Sequence, residues 1–88
     1  MFYVYVLLSL KTGEFYKGLT KDIDRRIKEH FLGKTPFSKN RLPFMLIHVE
    51  ICINRNEARK LEKFFKSGYG REVIKEIAGV AERYTRRA

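Results

Sequence analysis

From Phe2 to Leu10 the chain alternates, with Phe2, Val4, Val6, Leu8 and Leu10 on one side and Tyr3, Tyr5, Leu7 and Ser9 on the other. A two-residue period of this kind predicts a strand with one wholly apolar face. Lys11-Thr12-Gly13-Glu14 has the glycine and polar content of a hairpin turn, so Phe15 to Thr20 is expected to return antiparallel. Tyr5 and Tyr16 then lie on adjacent strands. After Thr20 the period changes: Ile23, Ile27 and Phe31 recur every four residues and predict the buried stripe of a helix. Asp22 or Asp24 can cap its start, and Gly33 is its natural stop after about Leu32. Arg26 and His30, also four apart, form a second line beside that stripe and are expected to project together at one edge of the core.

The stretch Lys34 to Pro43 carries Pro, Ser, Asn, Lys and Arg and reads as an exposed loop. Phe44 to Ile53 alternates again, placing Met45, Ile47, Val49, Ile51 and Ile53 on one face of a third strand and His48, Glu50 and Cys52 on the other. Asn54 followed by Glu57 looks like a capping box opening a second helix that ends near Ser67 and Gly68. Ala58, Leu61 and Phe65 supply its apolar face. Tyr69-Gly70 separates it from a final helix over roughly Arg71 to Thr85, with Val73, Ile77, Val80, Ala81 and Tyr84 as residues to bury. The pattern as a whole predicts an α/β (α+β) domain spanning residues 1–88, with a small, mainly antiparallel three-stranded sheet flanked by helices.

Size narrows the picture, since a chain of 88 residues buries only about 60 to 65 percent of its unfolded surface and supports one core. An apolar fraction of 44% with seven Phe and five Tyr excludes a disordered chain. Cys52 is the single cysteine, which rules out an internal disulfide and a cysteine-rich metal cluster. The nine-residue apolar start fits neither a signal peptide nor a membrane span, so the expectation is a cytoplasmic protein with no membrane partner. Charge changes the picture more. Nineteen Lys and Arg against ten Asp and Glu give +9, with eight basic and three acidic residues from Lys17 to Arg41 and ten and five from Arg55 to Arg87. Both helical regions are cationic, which points to nucleic acid as partner.

Two phenols, a guanidinium and an imidazole converge in this arrangement, a set that can handle protons and phosphate charge. Val4-Tyr5, then Tyr16-Lys17-Gly18 eleven residues later, Asp22-Ile23-Asp24-Arg25-Arg26 at a helix start, and Leu61-Glu62-Lys63-Phe64-Phe65-Lys66 follow one another in an order that resembles the GIY-YIG nuclease superfamily, particularly its small single-domain members. Tyr3 stands where the first motif has Gly, and Lys17 where the second has Ile. Leu19 replaces a Lys found in several members, and no Asn follows Glu62 where some members have one. The resemblance implies metal-dependent hydrolysis of a DNA phosphodiester, structure-selective or weakly specific, with repair or recombination as its setting. It implies that Tyr5 is the general base or a proton relay, that Tyr16 positions water or phosphate, and that Arg26 binds the phosphate. His30 would donate to a phosphate oxygen or shuttle a proton, and Glu62 would hold a single Mg2+ or Mn2+ ion. Lys17, Lys21, Lys34, Lys39, Arg41 and Lys66 are expected on the nucleic-acid backbone, where contacts carry affinity and little sequence information. RNA in place of DNA stays open, as does a protein partner for targeting. The alternatives are a nucleic-acid-binding module of the same fold without useful turnover, and a structural homodimer formed through the Phe-rich second helix and Tyr84.

Overall fold

Gly13 turns the first hairpin at φ +76°, a left-handed conformation that costs glycine no Cβ clash. Its N–H donates to the Ser9 carbonyl at 2.9 Å. This joins β1 (Phe2–Ser9) to β2 (Phe15–Thr20). The computed structural model describes residues 1–87 of the backbone and the side-chain surroundings of residues 1–80. After β2 come α1 (Ile23–Phe31), a 3-10 turn (Ser38–Asn40), β3 (Phe44–Cys52), α2 (Arg55–Lys66) and α3 (Gly68–Arg87). The sheet is antiparallel in the order β2-β1-β3, so the first strand is central. The expected three-stranded sheet flanked by helices is the fold observed.

Central position explains why β1 is buried on both sides. Val4 and Val6 pack with Cys52, Ala58, Phe65 and Ile74 under α2 and α3. Tyr5 and Leu7 pack with Phe44, Ile23 and Ile27 under α1. Leu10, expected to continue the strand, lies beyond it and is exposed.

Asp22 caps α1 by accepting from the Arg25 N–H at 3.1 Å, and Asn54 caps α2 by accepting from the Glu57 N–H at 2.9 Å. Such caps satisfy donors that a helix leaves unpaired at its start. The α1 stripe differs from expectation at its end. Phe31 is 44% exposed, whereas His30 is fully buried. At 3.6 residues per turn, His30 lies about 20° from the line through Ile23 and Phe31 about 80° from it, so the seventh residue faces the core and the eighth turns away.

Three further expectations are corrected. The Lys34–Pro43 segment is not simply an exposed loop: Thr35 and Ser38 are buried, and the Phe37 ring stacks between Tyr16 and Phe44 at 4.7 and 5.7 Å. In β3 the pairing slips between Val6–His48 and Leu7–Leu46, leaving Ile47 as a bulge. A bulge inserts one residue and switches the alternation. Ile47 consequently joins the core under α2 while Val49 and Ile51, paired with Tyr5 and Tyr3, lie exposed. The last helix starts at Gly68, so Tyr69-Gly70 belongs to its first turn and is no break. Ala81 and Tyr84, expected to bury, fall outside the residues whose side chains are described.

Candidate active site

Tyr5 starts from the central strand and must cross β2 to reach open space. It can do so because its direct partner in β2 is Gly18. A Cβ built on Gly18 would fall onto the Tyr5 ring and hydroxyl, with Cε1 at 2.8 Å. The bare glycine backbone therefore forms the bed on which the phenol lies. The close approach at Gly18 is to Tyr5 and not to Tyr16.

Beyond that glycine, an open hollow of about 310 Å3 is lined by Tyr5, Tyr16, Arg26, Arg55, Arg59 and Glu62. It straddles the β2 edge, with Arg26 delivered by α1 and the last three by α2. Tyr5 is 1% exposed and forms part of its floor. The rings of Tyr5 and Tyr16 lie 6.1 Å apart, and both approach the His30 ring, at 5.6 and 4.9 Å. Of the five chemical residues singled out from the sequence, the structure sets Tyr5, Tyr16, Arg26 and Glu62 around one hollow.

His30 lies behind it. Its Nε2 is hydrogen-bonded to the Tyr5 hydroxyl at 2.9 Å, and its Nδ1 to Thr35 Oγ1 at 3.0 Å. Thr35 is fixed in turn by Ser38, whose N–H donates to Thr35 Oγ1 at 3.1 Å while Ser38 Oγ accepts from the Thr35 N–H at 3.0 Å. The imidazole is fully buried with both nitrogens engaged, so it meets the hollow only through the Tyr5 hydroxyl. Burial, then the nearby Arg26 charge, pushes the His30 pKa down, so the ring is neutral near pH 7.

Burial also dominates at Tyr5, where it outweighs the opposing hydrogen bond and charge of Arg26 and pushes the pKa up to about 12. The phenol keeps its proton at neutral pH. Arg26 is itself partly desolvated, but its contacts with Tyr5 and Glu29 more than offset this and hold it above the ordinary guanidinium range. The Arg26 Nη1 donates to Glu29 Oε1 at 3.1 Å. That pairing leaves part of the planar fork available to a phosphate.

Glu62 is half-buried and makes an ion pair with Lys66, one turn later, at 3.6 Å. Among the described residues no three His, Cys, Asp or Glu side chains gather as a metal cage. A lone carboxylate still suits Mg2+ or Mn2+, which keep several waters and take further oxygens from substrate phosphates. Three guanidiniums beside it repel a free cation, so the donor set fits a metal that binds together with a phosphate.

The basic residues expected on the backbone divide. Lys66 reaches the hollow through its pair with Glu62, Lys17 lines a separate recess on the other face of β2, Lys21 is exposed with its ammonium 5.3 Å from the Phe2 ring centre, and Lys34 and Lys39 are exposed but line no part of the hollow. Arg41 is engaged at the hairpin and lines no part of the hollow. Its Nε donates to Glu14 at 3.0 Å, its Nη1 to the Phe37 carbonyl at 2.8 Å, and its guanidinium covers the Phe37 ring at 4.5 Å. It ties the hairpin to the 3-10 turn.

Sequence reasoning missed Arg55 and Arg59. Their signal was present, because 55, 59, 62 and 66 follow the i, i+4, i+7, i+11 spacing of one helix face. Neither makes an ion pair with an acidic side chain among the described residues.

Comparison with known proteins follows the same outline. The family model of the GIY-YIG catalytic domain matches residues 1–75. The UPF0213 protein BH0048 of Halalkalibacterium halodurans is 41% identical over 61 residues, covering 68% of this chain and 64% of that protein. A UPF0213 protein of Bacillus licheniformis is 38% identical over 65 residues, 73% of this chain and 66% of the relative. The chain thus spans slightly under two thirds of the length of these two relatives. A UPF0213 protein of Haloquadratum walsbyi is 34% identical over 77 residues, 86% of this chain and 84% of its own. The solution NMR structure of BH0048 from Bacillus halodurans superposes with a TM-score of 0.53 at 36% identity, covering 88% of this chain and 85% of that one. Among the described residues, no helix is long and apolar enough to cross a membrane.

Proposed function

The chain belongs to the GIY-YIG family, a nuclease superfamily whose domain binds nucleic acid, and from that membership we propose that it hydrolyses DNA phosphodiesters with the help of one divalent cation. The observation that carries this reading is the hollow at the β2 edge, where two phenols, three guanidiniums and one carboxylate meet. Structure-selective or weakly specific cutting, in repair or recombination, is the setting we assign.

A scissile phosphate seated in the hollow would meet Arg26, with Arg55 and Arg59 on the opposite wall. Such donors stabilise the charge that grows on the phosphoryl oxygens. A phenol with its pKa near 12 is a poor source of phenolate, which favours a relay over direct deprotonation. With His30 Nδ1–H donated to Thr35, Nε2 is free to accept from Tyr5. An attacking water then gives a proton to the Tyr5 oxygen as the Tyr5 proton moves to His30 Nε2. The water oxygen bonds to phosphorus, the opposite P–O bond breaks, and its electron pair leaves on the departing oxygen, which takes a proton from solvent. Glu62 would hold Mg2+ or Mn2+, which supplies Lewis-acid stabilisation of the phosphoryl and leaving oxygens.

The test is cleavage of labelled single-stranded, duplex, flapped and branched DNA with Mg2+, Mn2+ or EDTA, comparing the wild type with Glu62→Gln. Metal-dependent cutting that Glu62→Gln reduces by about 10²-fold or more, partly restored at high metal concentration, is the expected result. Tight, salt-sensitive binding without cutting of any substrate would instead make the protein a binding module of the same fold.

Acid should weaken both stability and turnover through His30. Its folded pKa lies below its unfolded value of about 6.5, so its contribution to stability is full above that value and lost as pH falls through the folded pKa, because only the unfolded chain takes up the proton readily. Melting curves between pH 5 and 8 should show a fall below about pH 6.5 that His30→Gln makes shallower. An identical slope in both proteins would remove His30 as the cause.

A further inference from the structure

Strand β2 is an edge strand with chemistry on both faces. Tyr16 and Gly18 face α1, while Phe15, Lys17 and Leu19 face α2 and α3. On that second face Lys17, Arg71 and Lys75 line a separate hollow of about 330 Å3 with Glu14 at its rim. Lys66, at the end of α2, pairs with Glu62 of the first hollow and is close enough to Lys17 of the second to act on its charge. Burial, then Arg71 and Lys66, depress the Lys17 ammonium below the ordinary lysine range.

The acidic groups nearby do not relieve this crowding. Glu14 is drawn to Arg41 at 3.0 Å, and Glu72 to Lys75 at 3.3 Å. Lys17 and Arg71 have no acidic partner among the described residues. Folding therefore holds like charges together in a partly desolvated recess, an arrangement that a bound anion stabilises.

We propose that Lys17 and Arg71 form a second phosphate subsite, which holds a backbone phosphate of DNA flanking the one at the Tyr5 hollow. This rests on the nuclease reading and adds to it a direction: the strand runs along the β2 edge, from the Arg55 and Arg59 wall, past Tyr5 and Glu62, to the recess at the start of α3. Lys17, which stands where the second family motif has Ile, becomes a substrate-holding residue.

The experiment is a salt titration of binding to labelled duplex DNA in EDTA, with wild type, Lys17→Gln/Arg71→Gln and the control Lys11→Gln/Lys28→Gln, whose exposed lysines line neither hollow. Each lost phosphate contact should lower the slope of log K against log salt by about 0.9 and weaken binding about eightfold at roughly 0.1 M salt, a loss that fades towards 1 M. The subsite variant should therefore bind roughly 60-fold more weakly, with the control changed far less. At low salt it should melt no lower than wild type, since like charges have been removed. If it does melt lower, the single variants Lys17→Gln and Arg71→Gln carry the test, each with one contact's loss. Equal losses in subsite and control variants would mean a diffuse field and overturn the subsite. An unchanged slope in the subsite variant, with wild type still binding and cutting, would overturn it while leaving the nuclease reading intact; no binding and no cutting by wild type would end both.

Discussion

Tyr5→Phe should lower the rate of cleavage by about 10² to 10⁴-fold, the range that a positioned proton-transfer group contributes, while DNA affinity stays within about a factor of two. Binding is expected to survive because the charged side chains around the hollow are all retained and Tyr5, 1% exposed as a residue, offers a bound phosphate little surface. The hydroxyl sits at the crossing of two tasks. It faces the hollow, and it is the partner of His30 Nε2 at 2.9 Å. Removing it leaves a buried ring nitrogen unsatisfied, which costs about 1 to 3 kcal/mol. Melting temperature should accordingly fall by several degrees in a domain this small, at about 4 to 8 °C for each kcal/mol. Assays belong well below that lowered midpoint, with circular dichroism to show that the variant is folded. Cutting at the wild-type rate by a folded Tyr5→Phe protein would show that the proton leaves the water by another route and would sink the relay. Loss of both cutting and binding would point to a collapsed hollow.

The proposed relay starts from a pair of groups that burial shifts in opposite directions. Burial raises the Tyr5 pKa and lowers that of His30, so both are neutral near pH 7. A neutral donor next to a neutral acceptor can pass a proton without storing a charge in the core between turnovers. Titratable groups with environments that push their pKa values apart are a recurring arrangement in proton-transfer sites. Thr35 and Ser38 belong to this unit although neither reaches the hollow, because they orient the ring that would take the proton in the proposed relay.

Which parts of this could be read in the sequence follows from how local each determinant is. The hairpin, the Asp22 and Asn54 caps and the facing of Tyr5 and Tyr16 depend on neighbours a few residues apart, and all were legible. The β3 alternation failed at Ile47 because a bulge is set by pairing with β1, about forty residues away along the chain. The polar Lys34–Pro43 stretch hid its inward turn for a similar reason: Thr35 is buried to satisfy a histidine, and composition does not reveal partners. Tyr69-Gly70 read as a break, yet a Cβ at Gly70 would strike the Phe64 backbone, so that glycine serves the close approach of α3 to α2. The candidate site was more legible than its surroundings because Tyr5, Tyr16, Arg26 and Glu62 stand on regular elements. Arg55 and Arg59 were equally regular and were missed only because helix spacing was not followed back from Glu62.

Gly18→Ala should be the most damaging single-methyl change at the hollow, and its cause can be isolated. The new Cβ would occupy the space of the Tyr5 ring. The ring cannot step aside cheaply, since it is packed against Leu7, Phe44, Ile23 and Ile27. Overpacking of this kind costs about 1 to 3 kcal/mol, and any relief by rotating the phenol breaks its bond to His30 as well. Cleavage should be lost to the extent seen in Tyr5→Phe or beyond, and stability should fall by a comparable amount. Tyr5→Phe will not rescue it, because Cζ and Cε1 meet the same methyl group. Tyr5→Leu should, because the shorter side chain ends before the clash. In a double-mutant cycle, Tyr5→Leu and Gly18→Ala together should be more stable than the sum of their separate losses predicts, by about 0.5 to 3 kcal/mol. Cleavage should stay absent in the double variant, which separates packing from chemistry in one set of four proteins. Strict additivity in urea melts would show that the glycine is needed for the β2 backbone and not for the phenol lying on it.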